Sequence, residues 1–461
     1  MMHLPYAEQL RRKEASVRAL LGKYGKVSPI IGMDEPYHYR NKVQAAFKHL
    51  PDGRVISGVY QSGSHRVVSV DDCLLEDRTA DRIIVTIRSM LRSFKIPVFD
   101  EDTGRGVLRH VLVKRGFHSG EVMVVLVCST PTFPSRNNFL KALLEKHPEI
   151  TTVILNINPF RTNLVLGPSE RVLYGKGTIE DTLCGKVFRI SAKSFYQINP
   201  VQTEVLYGKA VEFAHLHGKE TVIDAYCGIG TIGLVAADKA GKVIGVELNK
   251  DAVHDAIANC KRNGVKNARF YCGDAGEFMR DMADAGEKAD VVFMDPPRAG
   301  SSREFLLSAV KLAPQRIVYI SCNPETQARD IALLHKNGYR VQAIQPVDMF
   351  PHTAHVETVA LLVRNISTKD YVTIEVRPEE LELGSLKTHG TYDEIKSYVL
   401  NKYGFKISTL NISQVKRKCG LDVGESYNKP KKQDSKVPNC TPEKEKAIID
   451  ALKHFGMIKT Q

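Results

Sequence analysis

From residue 221 onward the chain alternates between short β-branched apolar runs and amphipathic stretches of helical period, and nothing else in its 461 residues limits the fold as strongly. TVIDAY, KVIGVE, ADVVFMD, RIVYISC and ETVALLV read as strands. Between them NKDAVHDAIANCKRNG sets Ala252, Val253, Ala256, Ile257 and Cys260 on one helical face, and Gly264 is placed to cap it. Parallel strands need crossover connections of helical length, so this alternation predicts an α/β domain of Rossmann-like type, a parallel sheet with helices on both faces. Ligands of such sheets bind beyond the carboxyl ends of the strands.

What precedes this domain has a different pattern. The first twenty-odd residues carry Leu10, Val17, Leu20 and Leu21 at helical spacing with basic residues between, and Gly25 is a plausible stop, which predicts one amphipathic helix. From about 37 to 190 the apolar runs are short, as in VLRHVLVKRG, EVMVVLVC and TTVILNINP, and predict a mixed, mostly β central domain. After about 366 the chain becomes Lys-rich; residues 401–461 hold thirteen Lys or Arg against six Asp or Glu. There TYDEIKSYVLNKYG and PEKEKAIIDALKHFG have helical spacing, whereas SQVKRKCG and YNKPKKQDSK are basic and read as partly loop, so a small helical basic module is expected. The expected division is 1–190, 191–365 and 366–461.

Composition narrows the partners. A formal net charge of +13 suits a protein that meets a polyanion, although a solvated surface explains it equally well. Nine cysteines without a secretory signal predict reduced thiols in a cytoplasmic protein. No apolar run reaches the roughly 18 residues of a membrane span.

Three strand ends carry the cofactor signal. GIGTIG, Gly228 to Gly233, matches the dinucleotide fingerprint, a weak signal by itself, with Glu247 at about the expected distance. Asp224 before the turn would repel a pyrophosphate but could face an ammonium or sulfonium; Glu247 could accept from both ribose hydroxyls; Asp274 in YCGDA ends the third strand, near where an adenine would lie. These features favour S-adenosylmethionine over a nicotinamide cofactor, while ordinary strand-end acids remain the bland alternative.

Further on, MDPPRAG sets Asp295 at a strand end with Pro296 and Pro297 fixing the loop. Amino-group methyltransferases carry an aromatic residue after such prolines to stack the base; Arg298 stands there instead, which argues against an exocyclic amine as acceptor. In RIVYISCNP, Cys322 closes a strand, and taken alone it fits a packing residue as well as a nucleophile. In DMFPHTAHVETVALLV, His352 and His355 lack a third and fourth ligand, so no metal site is expected.

SFYQINP, DAYCGIGTIG, MDPPRAG, VYISCNPETQARD and DMFPHTAHVE together resemble the RNA uracil-5-methyltransferases, over roughly residues 6 to 365. The resemblance implies methyl transfer from S-adenosyl-L-methionine to carbon 5 of a uridine in structured RNA, with Cys322 as covalent nucleophile and Glu357 as proton-abstracting base. It also implies a cofactor pocket lined by Gln197, Tyr226, Thr231, Glu247, Asp274 and Asp295, and no catalytic duty for Cys227. The stretch from SFYQIN to HTAHVE is most similar to the ribosomal-RNA branch, so 23S rRNA is the expected substrate and rRNA processing the expected setting. A tRNA enzyme, or a non-catalytic RNA-binding or ribosome-assembly factor, are the alternatives. No DNA, membrane or protein partner is implied. Many members begin with an RNA-binding barrel and an iron–sulfur cysteine cluster, and this chain starts just after where both would lie. Only Cys73, in DDCLLED, matches the last cluster ligand, so no cluster is expected here. The tail beyond 366 is absent from the core family.

Overall fold

The computed structural model describes residues 1–160, 162, 164–365, 392–419, 421, 440–455 and 457–458. Helix α1 (Tyr6–Leu21) leads into a seven-stranded sheet of β1 (Lys42–His49), β2 (Val55–Tyr60), β3 (Val67–Ser69), β4 (Leu108–Arg115), β5 (Val122–Cys128), β6 (Ile150–Ile157) and β7 (Ser169–Tyr174), in the order β3-β2-β1-β4-β5-β6-β7. Its only parallel pair among these is β5 with β6, and α3 (Arg136–Lys146) provides the crossover that a parallel pair needs. Helix α2 (Arg78–Met90), N-capped by the Asp77 carboxylate, lies beside α3.

Strand β5 shows how the centre of this sheet is buried on both sides. Its run VMVVLVC has no polar face; Val122, Val124, Leu126 and Cys128 pack under α2 and α3, while Met123, Val125 and Val127 point the other way. That second face shares a core with Leu206, Val222, Phe293 and Val318 of the following segment. Residues on either side of position 190 therefore belong to one continuous core.

After the hairpin β8 (Ile179–Leu183) and β9 (Lys186–Ile190) and helix α4 (Pro200–Ala214) comes the second sheet. It contains β10 (Thr221–Ala225), β11 (Lys242–Glu247), β12 (Ala268–Cys272), β13 (Val291–Met294), β14 (Arg316–Ser321), β15 (Tyr339–Val347) and β16 (Glu357–Arg364). The helices between are α5 (Thr231–Ala236), α6 (Lys250–Arg262), α7 (Ala275–Asp284), α8 (Arg303–Leu312) and α9 (Pro324–Lys336). Strand order is β12-β11-β10-β13-β14-β16-β15. The sheet is parallel as expected except for β16, which runs antiparallel to both neighbours. On α6 the expected face needs correcting at one position: Ile257 is exposed and Asn259 is fully buried instead. The Asn259 amide donates to Ile229 O (3.2 Å) and its carbonyl accepts from Arg189 N (2.8 Å), so a polar side chain ties three segments together.

Helix α1 packs on this second sheet, not on the first. Val17, Leu21 and Val27 join a core with Ile331, Val341 and Ile344, and parallel bridges link Val27 to Ile344 and Ile31 to Val347. Its buried stripe is Gln9, Lys13, Val17 and Leu21, two polar residues among four.

The chain divides into two units, Met1–Ile366 and Ser367–Gln461. In the second, α10 (Tyr392–Tyr403), α11 (Thr409–Lys418) and α12 (Pro442–His454) enclose Ile395, Val399, Ile412, Val415, Ile448 and Leu452. The segment SQVKRKCG, read from sequence as partly loop, is largely helical: Ser408 and Asn411 form a capping box that starts α11 ahead of it. YNKPKKQDSK lies outside the described residues.

Candidate active site

The turn after β10 is shaped by left-handed backbone. Tyr226 (φ 64°), Gly228 (φ 55°) and Gly230 (φ 83°) fold the chain back on itself before α5. A Cβ on Gly230 would approach the Phe270 ring to 2.9 Å, so this glycine serves both conformation and contact. The Asp224 carboxylate accepts from Gly233 N at 2.8 Å. It is therefore a staple between β10 and α5 and does not line the cavity, a correction to its expected place facing the cofactor's cation.

The strand ends enclose a cavity of ≈ 630 Å³, a volume suited to a nucleoside-sized ligand. Gln197, Tyr226, Glu247, Asp274, Asp295, Cys322 and Glu357 all line it. Thr231 is outside the lining; its hydroxyl meets the buried Tyr207 hydroxyl at 3.2 Å at the first turn of α5. Glu247 accepts from Gly228 N (3.1 Å) and Asn249 N (2.8 Å), and Asp274 caps α7 through Glu277 N (2.9 Å). Each carboxylate keeps further acceptor capacity for a ligand.

Cys322 and Glu357 meet because β16 reverses direction. Ser321, the last residue of β14, pairs with Thr358, so the residue after one and the residue before the other arrive together at the carboxyl edge of the sheet. Had β16 been parallel, Glu357 would begin at the opposite edge. Arg298 is the cation of this corner. Asn323 Nδ2 and Thr326 Oγ1 both donate to Arg298 O at 3.2 Å, which holds the PPRAG loop against the start of α9, and its guanidinium lies against the His355 ring nitrogens at 3.1 Å.

The electrostatics follow from burial. Burial pushes the Glu357 carboxyl well above its ordinary value, Asp295 adds to this, and Arg298 opposes it. Asp295 is raised by burial as well. Asp224 is pushed up to about 7 by burial, with Asp295 and Glu247 adding and the Gly233 amide opposing. The Cys322 thiol is raised by burial, Glu357 and Asp295, and drawn down by Arg298. This crowd of buried acids suits a cationic ligand, whose charge would relieve their repulsion, and disfavours a pyrophosphate. Gly228 and Gly273, both in the lining, have open space where a Cβ would stand. The residues present thus fit S-adenosylmethionine.

Two apolar walls of the cavity, Phe195 (63% exposed) and Phe350, lie in SFYQINP and DMFPHTAHVE but carry no signal of their own in the sequence. In the sequence Arg298 argues only against an exocyclic amine as acceptor; its place beside Cys322 emerges from the fold. Among the described residues no group of three or more His, Cys, Asp or Glu is arranged to hold a metal; the His352 ring stacks on Tyr37 and its Nδ1 meets Gln9 Nε2 at 3.0 Å. No described helix is long and apolar enough to cross a membrane.

A Rossmann-like sheet with one reversed strand, a glycine-rich turn after β10 and acids at the ends of the next strands defines an S-adenosylmethionine-dependent methyltransferase. Residues 171–365 match the tRNA (Uracil-5-)-methyltransferase family. An uncharacterized RNA methyltransferase of Halalkalibacterium halodurans is 42% identical over 367 residues, 78% of this chain and 80% of the relative. One from Caldanaerobacter subterraneus is 45% identical over 368 residues, covering 79% and 81%. The crystal structure of the Pyrococcus abyssi tRNA (uracil-54, C5)-methyltransferase in complex with S-adenosyl-L-homocysteine has a TM-score of 0.66 and 28% identity, covering 78% of this chain and 84% of that one. The chain belongs to the RNA uracil-5-methyltransferase family, and S-adenosylmethionine is its cofactor.

Proposed function

We propose that the chain methylates carbon 5 of a specific uridine in 23S rRNA through a covalent bond between Cys322 and the uracil. The observation that carries this reading is the pairing of Ser321 with Thr358, which brings a half-buried thiol and a buried carboxylate to one edge of a cavity whose remaining lining suits the cofactor. Gln197, Tyr226, Glu247, Asp274 and Asp295 would hold that cofactor. Thr231 supports the pocket from behind through Tyr207.

Carbon 5 of uracil is a poor nucleophile, and the chain's residues answer that. The Cys322 thiolate adds to carbon 6, and the electrons of the carbon 5–carbon 6 double bond move to give an enolate that is nucleophilic at carbon 5. Arg298, beside the thiol, favours the thiolate over the thiol. S-adenosylmethionine, when bound, supplies an electrophilic methyl group. Glu357 then takes the proton from carbon 5; that bond's electrons re-form the double bond, and the carbon–sulfur bond breaks with its pair returning to Cys322. The target base must leave its helix to reach this cavity. We assign guidance of the RNA to residues 1–190, the transfer itself to 191–365, and an accessory role to 366–461.

The choice of 23S rRNA rests on the similarity of the stretch from SFYQIN to HTAHVE to the ribosomal-RNA enzymes. A tRNA substrate is the second reading, favoured by the substrate of the Pyrococcus abyssi relative. Offering the purified chain each RNA with a labelled methyl donor and mapping the product by mass spectrometry decides between them. The proposal expects 5-methyluridine in one 23S fragment; label in tRNA transfers the assignment, and label on any atom other than carbon 5 overturns the chemistry.

A further inference from the structure

The loop from Asp348 to Val356 connects β15 to β16. It supplies Phe350 to the cavity and ends at Glu357. Its anchors come from the far end of the chain, chiefly from α1. Lys13 Nζ donates to Asp348 Oδ1 (2.6 Å) and to Phe350 O (3.0 Å). Tyr6 donates its hydroxyl to Asp348 Oδ2 (2.9 Å). Gln9 Oε1 accepts from His352 N (3.0 Å), and Tyr39 donates to Pro351 O (3.0 Å). The Lys13 and Asp348 side chains are 1% and 0% exposed.

A buried ion pair of this kind is a poor stabiliser, since desolvating both charges offsets most of their attraction, but its directional bonds fix geometry well. Here the geometry concerns the site. Asp348 follows Val347, whose partner across the β15–β16 ladder is Glu357. One ammonium therefore grips the residue beside Glu357's strand partner and, at the same time, the carbonyl of the residue whose ring walls the cavity.

We propose that Lys13 is a positioning residue for the proton-abstraction step: by holding Asp348 and Phe350 it sets the Glu357 carboxylate against carbon 5 of the methylated uracil. This rests on the covalent reading above. In that step the carbon 5 proton passes to Glu357, the freed electron pair re-forms the double bond, and Cys322 leaves. Displacing Glu357 slows this release without touching the earlier addition of Cys322 to carbon 6, so methylated RNA accumulates on the protein.

The test uses Lys13→Met and the double variant Lys13→Met with Asp348→Leu, which leaves no orphaned buried charge. Cofactor affinity and melting temperature report whether each is folded. The inference expects turnover to fall by about 10-fold to 10²-fold, the loss typical of a misplaced catalytic group, while the fraction of enzyme bound covalently to methylated RNA rises towards that of Glu357→Gln. Turnover that falls with no rise in adduct in the folded double variant, or that does not fall, overturns it. Should Glu357→Gln itself trap no methylated RNA, the covalent reading fails, and this inference with it.

Discussion

Burial acts differently on Cys227 and Cys322. Cys227 is 4% exposed and its thiol is pushed far up by burial, with Asp224 and Glu247 adding, so it stays an inert packing group. Cys322 is half-buried, opens into the cavity and has Arg298 to offset its carboxylate neighbours. Cys322→Ala is accordingly expected to lower kcat by at least about 10³-fold with cofactor affinity nearly unchanged, whereas Cys227→Ala should lose only about 1 kcal/mol of stability; single-turnover assays and thermal melts separate the two. The acid–base groups predict a pH profile. In the proposed mechanism Glu357 and Cys322 act in their ionised forms, and both are held above their ordinary values. Raising the pH through those elevated values populates the working forms, so kcat/KM should climb from neutral pH into the alkaline range. Arg298 lowers both groups; Arg298→Met therefore moves the climb to higher pH, and a profile unmoved by that change would refute Arg298's electrostatic role.

Single elements explain what the sequence could and could not tell. Strands β10, β11, β13 and β14 are legible because each is a short run with a buried β-branched pair, Val222–Ile223, Val243–Ile244, Val291–Val292 and Ile317–Val318, a pattern that suits a doubly covered parallel strand. Strand β15 is not, because YRVQAIQPV mixes polar and apolar residues along a sheet edge. The reversal of β16, which brings Glu357 beside Cys322, has no local signature at all: strand direction is set by how the chain returns to the sheet. The role of α1 was hidden for the opposite reason, since Gln9 and Lys13 read as solvated positions and are buried only because Asp348 and His352 await them. One element-scale prediction concerns β11, where Gly245 leaves room for the ring of Phe270 on β12. A Cβ there would come within 2.3 Å of Phe270 and 3.0 Å of the Cys227 sulfur. Gly245→Ala should lose about 1–3 kcal/mol by overpacking, read as a lower melting temperature, and should weaken cofactor binding through the displaced turn.

At the scale of the whole chain, charge is unevenly distributed. Residues 401–461 carry thirteen basic against six acidic residues, +7 of the total +13, and the unit they belong to, Ser367–Gln461, has a hydrophobic core of its own among its described residues. If this unit anchors RNA by releasing counterions from phosphates, deleting residues 370–461 weakens RNA binding and flattens its dependence on salt, with cofactor affinity and chemistry on a saturating short RNA kept close to normal; equal affinity of both forms across a salt series would leave the tail without that role. The proposed mechanism, however, stands on the division of labour between Cys322 and Glu357 at one sheet edge. It is tested most directly by incubating the Glu357→Gln protein with substrate RNA and methyl-labelled S-adenosylmethionine and resolving the mixture under denaturing conditions. The expected result is a protein–RNA band that carries the label and disappears when Cys322→Ala is added; free labelled RNA with no such band refutes the mechanism.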